Sequence, residues 1–196
     1  MKIGIFGGSF NPIHIGHAII ANYIISNSDL DKLLMMVAPR NPMKPDGFYQ
    51  VSDGDRLRMV ELVARRLQNV HTSAFEFEMP TPSYTINTLN AIQARFPDDE
   101  FYLVIGADNW AIFDRWKEAD KILSNYHVII YPRSGYEVVI PEELAERVQL
   151  VNAPIVELSS TEIREGLKQG QNMSFYLPVE VYDYITRNEL YLPQPE

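Results

Sequence analysis

Residues 1–17 read MKIGIFGGSFNPIHIGH. Residues 2–6 form a short apolar run that is typical of a buried strand, and Gly7 and Gly8 follow it directly. His14 and His17 then flank Gly16 at the point where an apolar helical pattern begins. This order of strand, glycine-rich turn and helix predicts the first strand and crossover helix of an α/β sheet.

The same alternation continues along the chain. Further apolar runs predict strands at residues 32–38, 70–74, 101–105 and 127–131. Segments of helical period begin near Gly16, Asp53, Tyr84 and Asp108, and Ser52 or Asp53 is expected to cap the second helix. Strands that alternate with helices are the signature of a mainly parallel sheet. We therefore predict an α/β fold with the site at the carboxyl ends of its strands.

The last third of the chain is expected to add a short C-terminal helical subregion. Residues 147–152 and 155–158 resemble short strands, and residues 161–168 and 178–187 resemble helices. An apolar stripe of Leu177, Val181, Tyr184 and Ile185 should pack the final helix on the body of the domain. We expect a single domain over residues 1–196, with the last four residues as a flexible tail.

Composition excludes several classes of function. With 46% hydrophobic and 22% charged residues, the 196-residue chain matches ordinary globular proteins. The net charge of −9 argues against a nucleic-acid partner, which would need a basic face. No cysteine is present, so disulfides and thiol catalysis are excluded. We see no signal-like or membrane-spanning segment and expect a cytoplasmic protein with no membrane partner.

The turn after the first strand has the character of an anion site. Glycines allow a phosphate to approach the backbone, and a helix start offers N–H groups and a positive dipole end. His14 and His17 lie three residues apart, so both rings can reach one polyphosphate. No carboxylate is close in sequence to complete a metal site with the two histidines.

Two motifs point to a family. Residues 7–17 resemble the signature of adenylyltransferases that share a HIGH motif with class I aminoacyl-tRNA synthetases. A synthetase is excluded by the length of the chain and the absence of a lysine-rich signature loop. Residues 158–164, LSSTEIR, resemble the second phosphate-binding motif of this superfamily. Ser160 or Thr161 is expected to cap a helix there, and Arg164 supplies a fixed charge one turn later.

Three further segments resemble motifs of the bacterial nicotinate-mononucleotide adenylyltransferases. These are Pro82-Ser83-Tyr84-Thr85, Ile105-Gly106-Ala107-Asp108 with Trp116, and Pro132-Arg133. The resemblance implies a Rossmann-like, doubly wound fold. It also implies transfer of AMP from ATP to nicotinate mononucleotide, which yields deamido-NAD and pyrophosphate in NAD biosynthesis. Because the phosphate of the mononucleotide is itself the nucleophile, the enzyme needs mainly positioning and charge neutralisation.

The resemblance also implies residue roles. His14 and His17 are assigned to the triphosphate, and Lys44 and Arg164 to the leaving pyrophosphate, which makes these four the predicted catalytic residues. The predicted ATP-binding residues are Gly8, Ser9, Phe10, Gly16, Gly106, Asp108, Ser160 and Thr161. The predicted substrate-binding residues are Tyr84, Thr85, Trp116 and Arg133. A Mg²⁺ ion is expected on ATP phosphates and water, with no protein side chain as a metal ligand.

Within the substrate group, Trp116 is expected to stack on the pyridine ring. Backbone N–H groups around Tyr84 and Thr85 are expected to receive its carboxylate, with no charged side chain needed. Gly106 and Asp108 are suited to a ribose hydroxyl or the adenine. These assignments predict a preference for the acid over the amide mononucleotide.

One loop departs from the family pattern. Where relatives have Pro-His-Lys, this chain has Pro42-Met43-Lys44, so the contact of the family histidine is either lost or supplied by Arg40 or Asn41. We expect residues 39–51 to act as a mobile lid.

Alternative interpretations stay open from the sequence. A phosphopantetheine adenylyltransferase shares the first motif, and a non-catalytic nucleotide-binding regulatory module could keep the same fold. The chain could be a monomer or a homodimer.

Overall fold

The computed structural model describes residues 1–39 and 51–192. Six strands form one sheet in which every pairing is parallel, in the order β3-β2-β1-β4-β5-β6. The strands are β1 (Lys2–Gly8), β2 (Lys32–Val37), β3 (Val70–Ser73), β4 (Glu100–Gly106), β5 (His127–Tyr131) and β6 (Val148–Leu150). This order confirms the predicted doubly wound, Rossmann-like fold. The strands are added in one direction from β1 to β3 and in the other from β4 to β6, so the strand order reverses between β1 and β4.

The described residues also form seven α-helices. They are α1 (Ile15–Asn27), α2 (Asp53–Ala64), α3 (Thr85–Arg95), α4 (Ala107–Trp110), α5 (Ala119–Asn125), α6 (Ser160–Lys168) and α7 (Val179–Arg187). Ser52 caps α2, as predicted, because its hydroxyl accepts a hydrogen bond from the Asp55 N–H at 3.1 Å.

Two hydrophobic cores lie on opposite faces of the sheet. One face packs against α1, α2, α6 and α7, with Ile24, Met59, Ile163 and Val181 buried there. The other face packs against α3 and α5, which bury Leu89 and Ile122. Because helices cover both faces, the strands are apolar on both sides and read as continuous runs in the sequence.

The helix predicted to begin near Asp108 starts there but ends after one turn at Trp110. A short 3₁₀ helix follows at Phe113–Arg115, and α5 begins only at Ala119. Buried Phe113 packs between Trp110 and Trp116, with ring centroids 5.3 and 5.2 Å apart. The spacing of three residues matches a 3₁₀ turn, so aromatic packing interrupts the regular helix.

The strand predicted at residues 155–158 is wrong, and the strand predicted at 147–152 shortens to β6. β6 pairs only with β5, and Pro154 has no N–H with which to extend the ladder. The chain instead leaves the sheet and reaches the glycine-rich turn, where the Ser160 hydroxyl donates to the Pro12 carbonyl at 2.9 Å.

The C-terminal subregion packs as the apolar stripe predicted. Leu177, Val181 and Ile185 are buried against the first core, and the Tyr184 hydroxyl donates to an Asp55 carboxylate oxygen on α2 at 2.8 Å. Several predictions lie outside the described residues: the lid over 39–51 for the most part, Lys44, and the flexible tail. None of the helices in residues 1–39 and 51–192 is long and apolar enough to cross a membrane.

Candidate active site

A cavity of about 570 Å³ opens at the carboxyl ends of β1 and β4, where the strand order reverses. This is the position at which open α/β sheets bind ligands. Ten of the predicted site residues line it: Gly8, Ser9, Phe10, His17, Gly106, Asp108, Tyr84, Thr85, Trp116 and Arg133. Arg133 also lines a small cleft beside the cavity, together with His14, Gly16 and His17. The fold thus brings predicted ATP-binding residues and predicted substrate-binding residues into one cavity.

The two histidines form a compact pair at the start of α1. Their ring centroids are 3.8 Å apart. His14 Nδ1 accepts a hydrogen bond from the Gly16 N–H at 3.1 Å, and His17 Nδ1 accepts one from the His14 N–H at 3.2 Å. In a neutral imidazole with Nδ1 as acceptor, the proton lies on Nε2. Each ring therefore has an Nε2–H with which to donate to an anion.

Burial keeps both rings neutral. It lowers the pKa of His14 to about 4, and the nearby charge of Arg133 acts in the same direction. Burial also lowers the pKa of His17 well below its ordinary value, with further contributions from His14 and Arg133. At pH 7 the pair is therefore a set of neutral hydrogen-bond donors. Among the described residues of this end, Arg133 supplies the positive charge.

The structure corrects the prediction that α1 offers free backbone N–H groups. The Ile15 N–H donates to the Tyr176 carbonyl at 3.0 Å, and the Gly16 N–H donates to His14. Gly16 is needed because a Cβ there would lie 3.0 Å from the His14 ring and 3.2 Å from Val156. A Cβ on Gly8 would lie 2.9 Å from the Phe10 ring. These glycines make room for side chains of the protein itself.

The second phosphate motif begins α6, but its cap is a different residue from the one predicted. The cap is Ser159, whose hydroxyl accepts from the Glu162 N–H at 3.2 Å, while Ser160 contacts Pro12. Arg164 is only 5% exposed, and it donates to the Asn11 carbonyl at 2.7 Å and to the Thr161 hydroxyl at 3.2 Å. None of Ser160, Thr161 and Arg164 lines the cavity or the cleft. This motif holds the glycine-rich turn in place from behind.

Asp108 and Arg133 face each other near the middle of the cavity. The Arg133 Nε and Asp108 Oδ1 atoms are 3.7 Å apart, which is an ion pair without a hydrogen bond. Both atoms are buried and lack a hydrogen-bond partner. Because buried polar atoms are nearly always satisfied, this pair of atoms indicates a place where a ligand or water completes the contacts.

Tyr84, Thr85 and Trp116 lie together at the other end of the cavity. Tyr84 immediately precedes α3, and no side chain caps this helix. The indole Nε1–H of Trp116 is buried and has no hydrogen-bond partner. This end therefore presents an aromatic face, an unpaired N–H donor and an uncapped helix start to a ligand.

Three charged residues of the cavity wall and one residue behind it were not predicted from the sequence. Glu76, Arg115 and Lys117 line the cavity, and the Glu76 carboxylate accepts from the Ser83 and Thr88 hydroxyls at 2.8 and 2.7 Å. Nothing in the sequence pattern signals these positions.

Arg56 is the missed residue behind the wall. Its guanidinium donates to the Ser9 carbonyl at 2.6 Å and to the Ala38 carbonyl at 2.8 Å. A signal for Arg56 existed, because it shares the buried face of α2 with Met59, Val60 and Val63, where an arginine is unexpected unless it is paired.

Across residues 1–39 and 51–192 no group of three or more histidine, aspartate or glutamate side chains is arranged to hold a metal ion. Asp108 and Glu76 are the acidic side chains on the described wall of the cavity. One or two carboxylates with substrate phosphates are a usual environment for Mg²⁺. A metal ion at this site would therefore take most of its ligands from phosphate oxygens and water.

Comparison with known proteins agrees with this geometry. The model of the cytidylyltransferase-like family matches residues 5–166. A "Probable nicotinate-nucleotide adenylyltransferase" of Bacteroides thetaiotaomicron is 43% identical over 185 residues, which are 94% of this chain and 91% of that protein. One of Flavobacterium psychrophilum with the same name is 41% identical over 192 residues, or 97% and 99% of the two chains.

A solved structure shows the same fold. It is the Plasmodium falciparum nicotinic acid mononucleotide adenylyltransferase complexed with NaAD, with a TM-score of 0.80 at 22% identity over 97% of both chains. The similarity of fold, the two curated relatives and the family match lead to one assignment. The chain belongs to the cytidylyltransferase-like family and, within it, to the nicotinate-nucleotide adenylyltransferases.

Proposed function

We propose that this protein transfers AMP from ATP to nicotinate mononucleotide, which forms deamido-NAD and pyrophosphate in NAD biosynthesis. The observation that carries the proposal is one cavity that extends from His17 to the end at which Tyr84 and Trp116 lie, with His14 in the small cleft beside it. One end offers donors to a phosphate chain, and the other offers a flat aromatic face to a planar ring. A reaction that joins two nucleotides requires both ends in one cavity.

The chemistry at the histidine end needs no protein nucleophile. An oxygen of the mononucleotide 5′-phosphate attacks the α-phosphorus of ATP, a new P–O bond forms, and the bond to the bridging oxygen breaks as pyrophosphate leaves. The Nε2–H groups of His14 and His17 donate to the phosphate oxygens on which charge increases. Donors that are fixed in place before the reaction stabilise such a transition state strongly.

Charged groups complete this end. Arg133 lies beside both histidines and opposes the phosphate charge. We assign Lys44 to the leaving pyrophosphate directly, and Arg164 to it indirectly, because Arg164 lines neither the cavity nor the cleft. Arg164 also positions the glycine-rich turn through Asn11, and Ser160 and Thr161 support the same turn and the ATP bound on it. When Mg²⁺ is bound, it neutralises part of the phosphate charge. Most of its ligands are phosphate oxygens and water.

At the other end the pyridine ring of the substrate stacks on Trp116, and the backbone N–H groups at the start of α3 receive its carboxylate. The uncapped start at Tyr84 and Thr85 supports this assignment. Gly106 and Asp108 lie between the two ends and are assigned to a ribose hydroxyl or the adenine, as donors and acceptors for ATP. A Cβ on Gly106 would collide with Asp108, so glycine keeps this part of the cavity open.

The test is product formation from ATP and Mg²⁺ with three phosphate acceptors: nicotinate mononucleotide, its amide and phosphopantetheine. We expect deamido-NAD and pyrophosphate in equal amounts from the first. The amide should react tenfold to a hundredfold less efficiently in kcat/KM, because an amide facing N–H donors leaves buried polar groups unpaired at a cost of about 1 to 3 kcal/mol. Phosphopantetheine should give no product. Turnover of phosphopantetheine, or of none of the three, would refute the proposal.

A further inference from the structure

We propose that the Lys117 side chain determines substrate specificity by favouring a pyridine ring that carries a carboxylate over one that carries a neutral amide. The inference rests on the proposed function and adds to it a charged group at the pyridine end. From the sequence, we expected backbone N–H groups alone to make this distinction. The structure places a cation where that expectation had none.

The position of Lys117 is set by its contact with Tyr84. Its ammonium nitrogen lies 4.6 Å from the centroid of the Tyr84 ring, which is the distance of a cation–π contact. Both residues line the cavity. Tyr84 immediately precedes the uncapped start of α3, so the positive charge lies against a side chain of the segment whose N–H groups are assigned to the substrate carboxylate.

Two charged residues close to Lys117, Glu118 and Lys121, pair with each other. Glu118 adopts a left-handed conformation with φ of 55° and precedes α5. Its carboxylate pairs with Lys121 at 2.9 Å, one turn along the helix. Within the described residues Lys117 forms no salt bridge, and its charge acts on the adjacent Glu118 carboxylate only at longer range, so its ammonium remains able to act on the cavity.

The cavity contains an opposing charge that makes this cation matter. The Glu76 carboxylate lines the same wall and accepts hydrogen bonds from Ser83 and Thr88, on either side of Tyr84. A substrate carboxylate bound at the start of α3 would be repelled by Glu76. Lys117 offsets that repulsion. Without it the pyridine end would hold an unbalanced negative charge, in a protein whose net charge is already −9.

The two mononucleotides allow this charge effect to be isolated. They share the ribose, the phosphate and the ring, and they differ only in the charge of the ring substituent. A group that contacts the phosphate would change both substrates equally, whereas a cation near the carboxylate changes only the acid. Lys117 is exposed, so solvent screens its charge, and we expect about a fivefold to tenfold effect on the ratio of kcat/KM for acid over amide.

The experiment measures this ratio in the wild type and in three variants. Lys117→Met keeps the length of the side chain and removes its charge, and Lys117→Arg keeps the charge. Lys168→Met is the matched control, since Lys168 pairs with Glu165 on α6 and does not line the cavity. We expect the ratio to fall fivefold to tenfold in Lys117→Met, to stay within about twofold in Lys117→Arg, and to be unchanged in Lys168→Met. Added salt should reduce the wild-type ratio toward that of Lys117→Met.

The outcomes separate this inference from the function on which it depends. A wild type that makes no deamido-NAD overturns both. If the wild type makes deamido-NAD but Lys117→Met has an unchanged ratio, the inference about Lys117 alone is overturned. Equal losses of activity on acid and amide in Lys117→Met would likewise overturn it, because they would place the ammonium near a part that both substrates share.

Discussion

The starts of α1 and α3 lie at opposite ends of one cavity and are built in different ways. At α1, His14 and His17 take the cap positions and accept hydrogen bonds from the backbone, while Tyr176 accepts from Ile15. At α3, no side chain caps the helix, and Tyr84 lies before it under the ammonium of Lys117. The first helix start is capped by side chains of the protein, and the second is not.

This difference shows how one fold binds two unlike ligands. At α1 the backbone N–H groups orient two imidazole rings, and we propose that the rings present Nε2–H donors to the phosphates. At α3 no side chain caps the helix, and Tyr84 and Thr85 at its start line the cavity. The phosphate end is thus organised before substrate arrives, which suits a transition state. The pyridine end depends on the substrate to satisfy its donors, which suits selection between similar substrates.

Removal of His17 should have the largest effect and should break the phosphate end alone. We expect His17→Ala to lower kcat about a hundredfold or more while the KM for ATP changes little, because the lost donor acts mainly in the transition state. Steady-state kinetics with varied ATP would measure both parameters. His71→Ala is a suitable control, since His71 is an exposed residue of β3. Near wild-type turnover of a folded His17→Ala protein would remove the histidine from the mechanism.

The organisation of α1 should also appear in the dependence of stability on pH. The pKa of His14 is about 4 in the folded protein and about 6.5 when unfolded. The unfolded chain therefore binds a proton first as pH falls, and stability is lost between pH 6.5 and 4. Between pH 7 and 5 this residue alone should cost about 2 kcal/mol.

Urea denaturation at pH 7 and pH 5 would test this prediction, with His14→Asn as the comparison. Asparagine is a preferred cap residue but does not titrate in this range. We expect the variant to lose about 2 kcal/mol less than the wild type between the two pH values. Parallel losses in the two proteins would show that His14 is not held neutral by the fold.

At the pyridine end, Glu76 offers a smaller and more selective test. Its two carboxylate oxygens join Ser83 to Thr88 across Tyr84. We expect Glu76→Ala to raise the KM for nicotinate mononucleotide about tenfold, since a lost hydrogen bond to a charged group costs roughly 1.5 to 3 kcal/mol and part of this is recovered by water. The KM for ATP should stay the same.

Glu76→Gln is the matched variant, because an amide can still bond both hydroxyls through its oxygen and its NH₂ group. We expect it to restore the affinity for the mononucleotide to at least the wild-type value, because it also removes the charge that repels the substrate carboxylate. An equal rise in both KM values for Glu76→Ala would contradict a role confined to the pyridine end and would indicate a general loss of structure.

The sequence predicted the fold to a large extent because the fold depends on local patterns. Apolar runs and helical periods marked five strands within one or two residues, and the order of elements indicated a parallel sheet. The predictions of strands and helices were wrong where strand pairing or side-chain packing overrode the local sequence pattern. The segment at 155–158 is apolar enough for a strand but has no strand beside it to pair with, and the helix at Asp108 is interrupted by the packing of Trp110, Phe113 and Trp116.

For the site, the sequence alone determined the residues whose motifs lie within a few positions of one another. His14, His17, Tyr84 and Thr85 are of this kind, and the spacing of each motif carries its chemistry. Only the tertiary structure decided which of the predicted groups line the cavity. It directs Arg164 to Asn11 and Ser159 to the cap of α6, and it brings Glu76 and Lys117 from separate segments to the same wall. The physical reason is that side-chain direction and charge pairing depend on neighbours that are distant in sequence, and no local pattern records them.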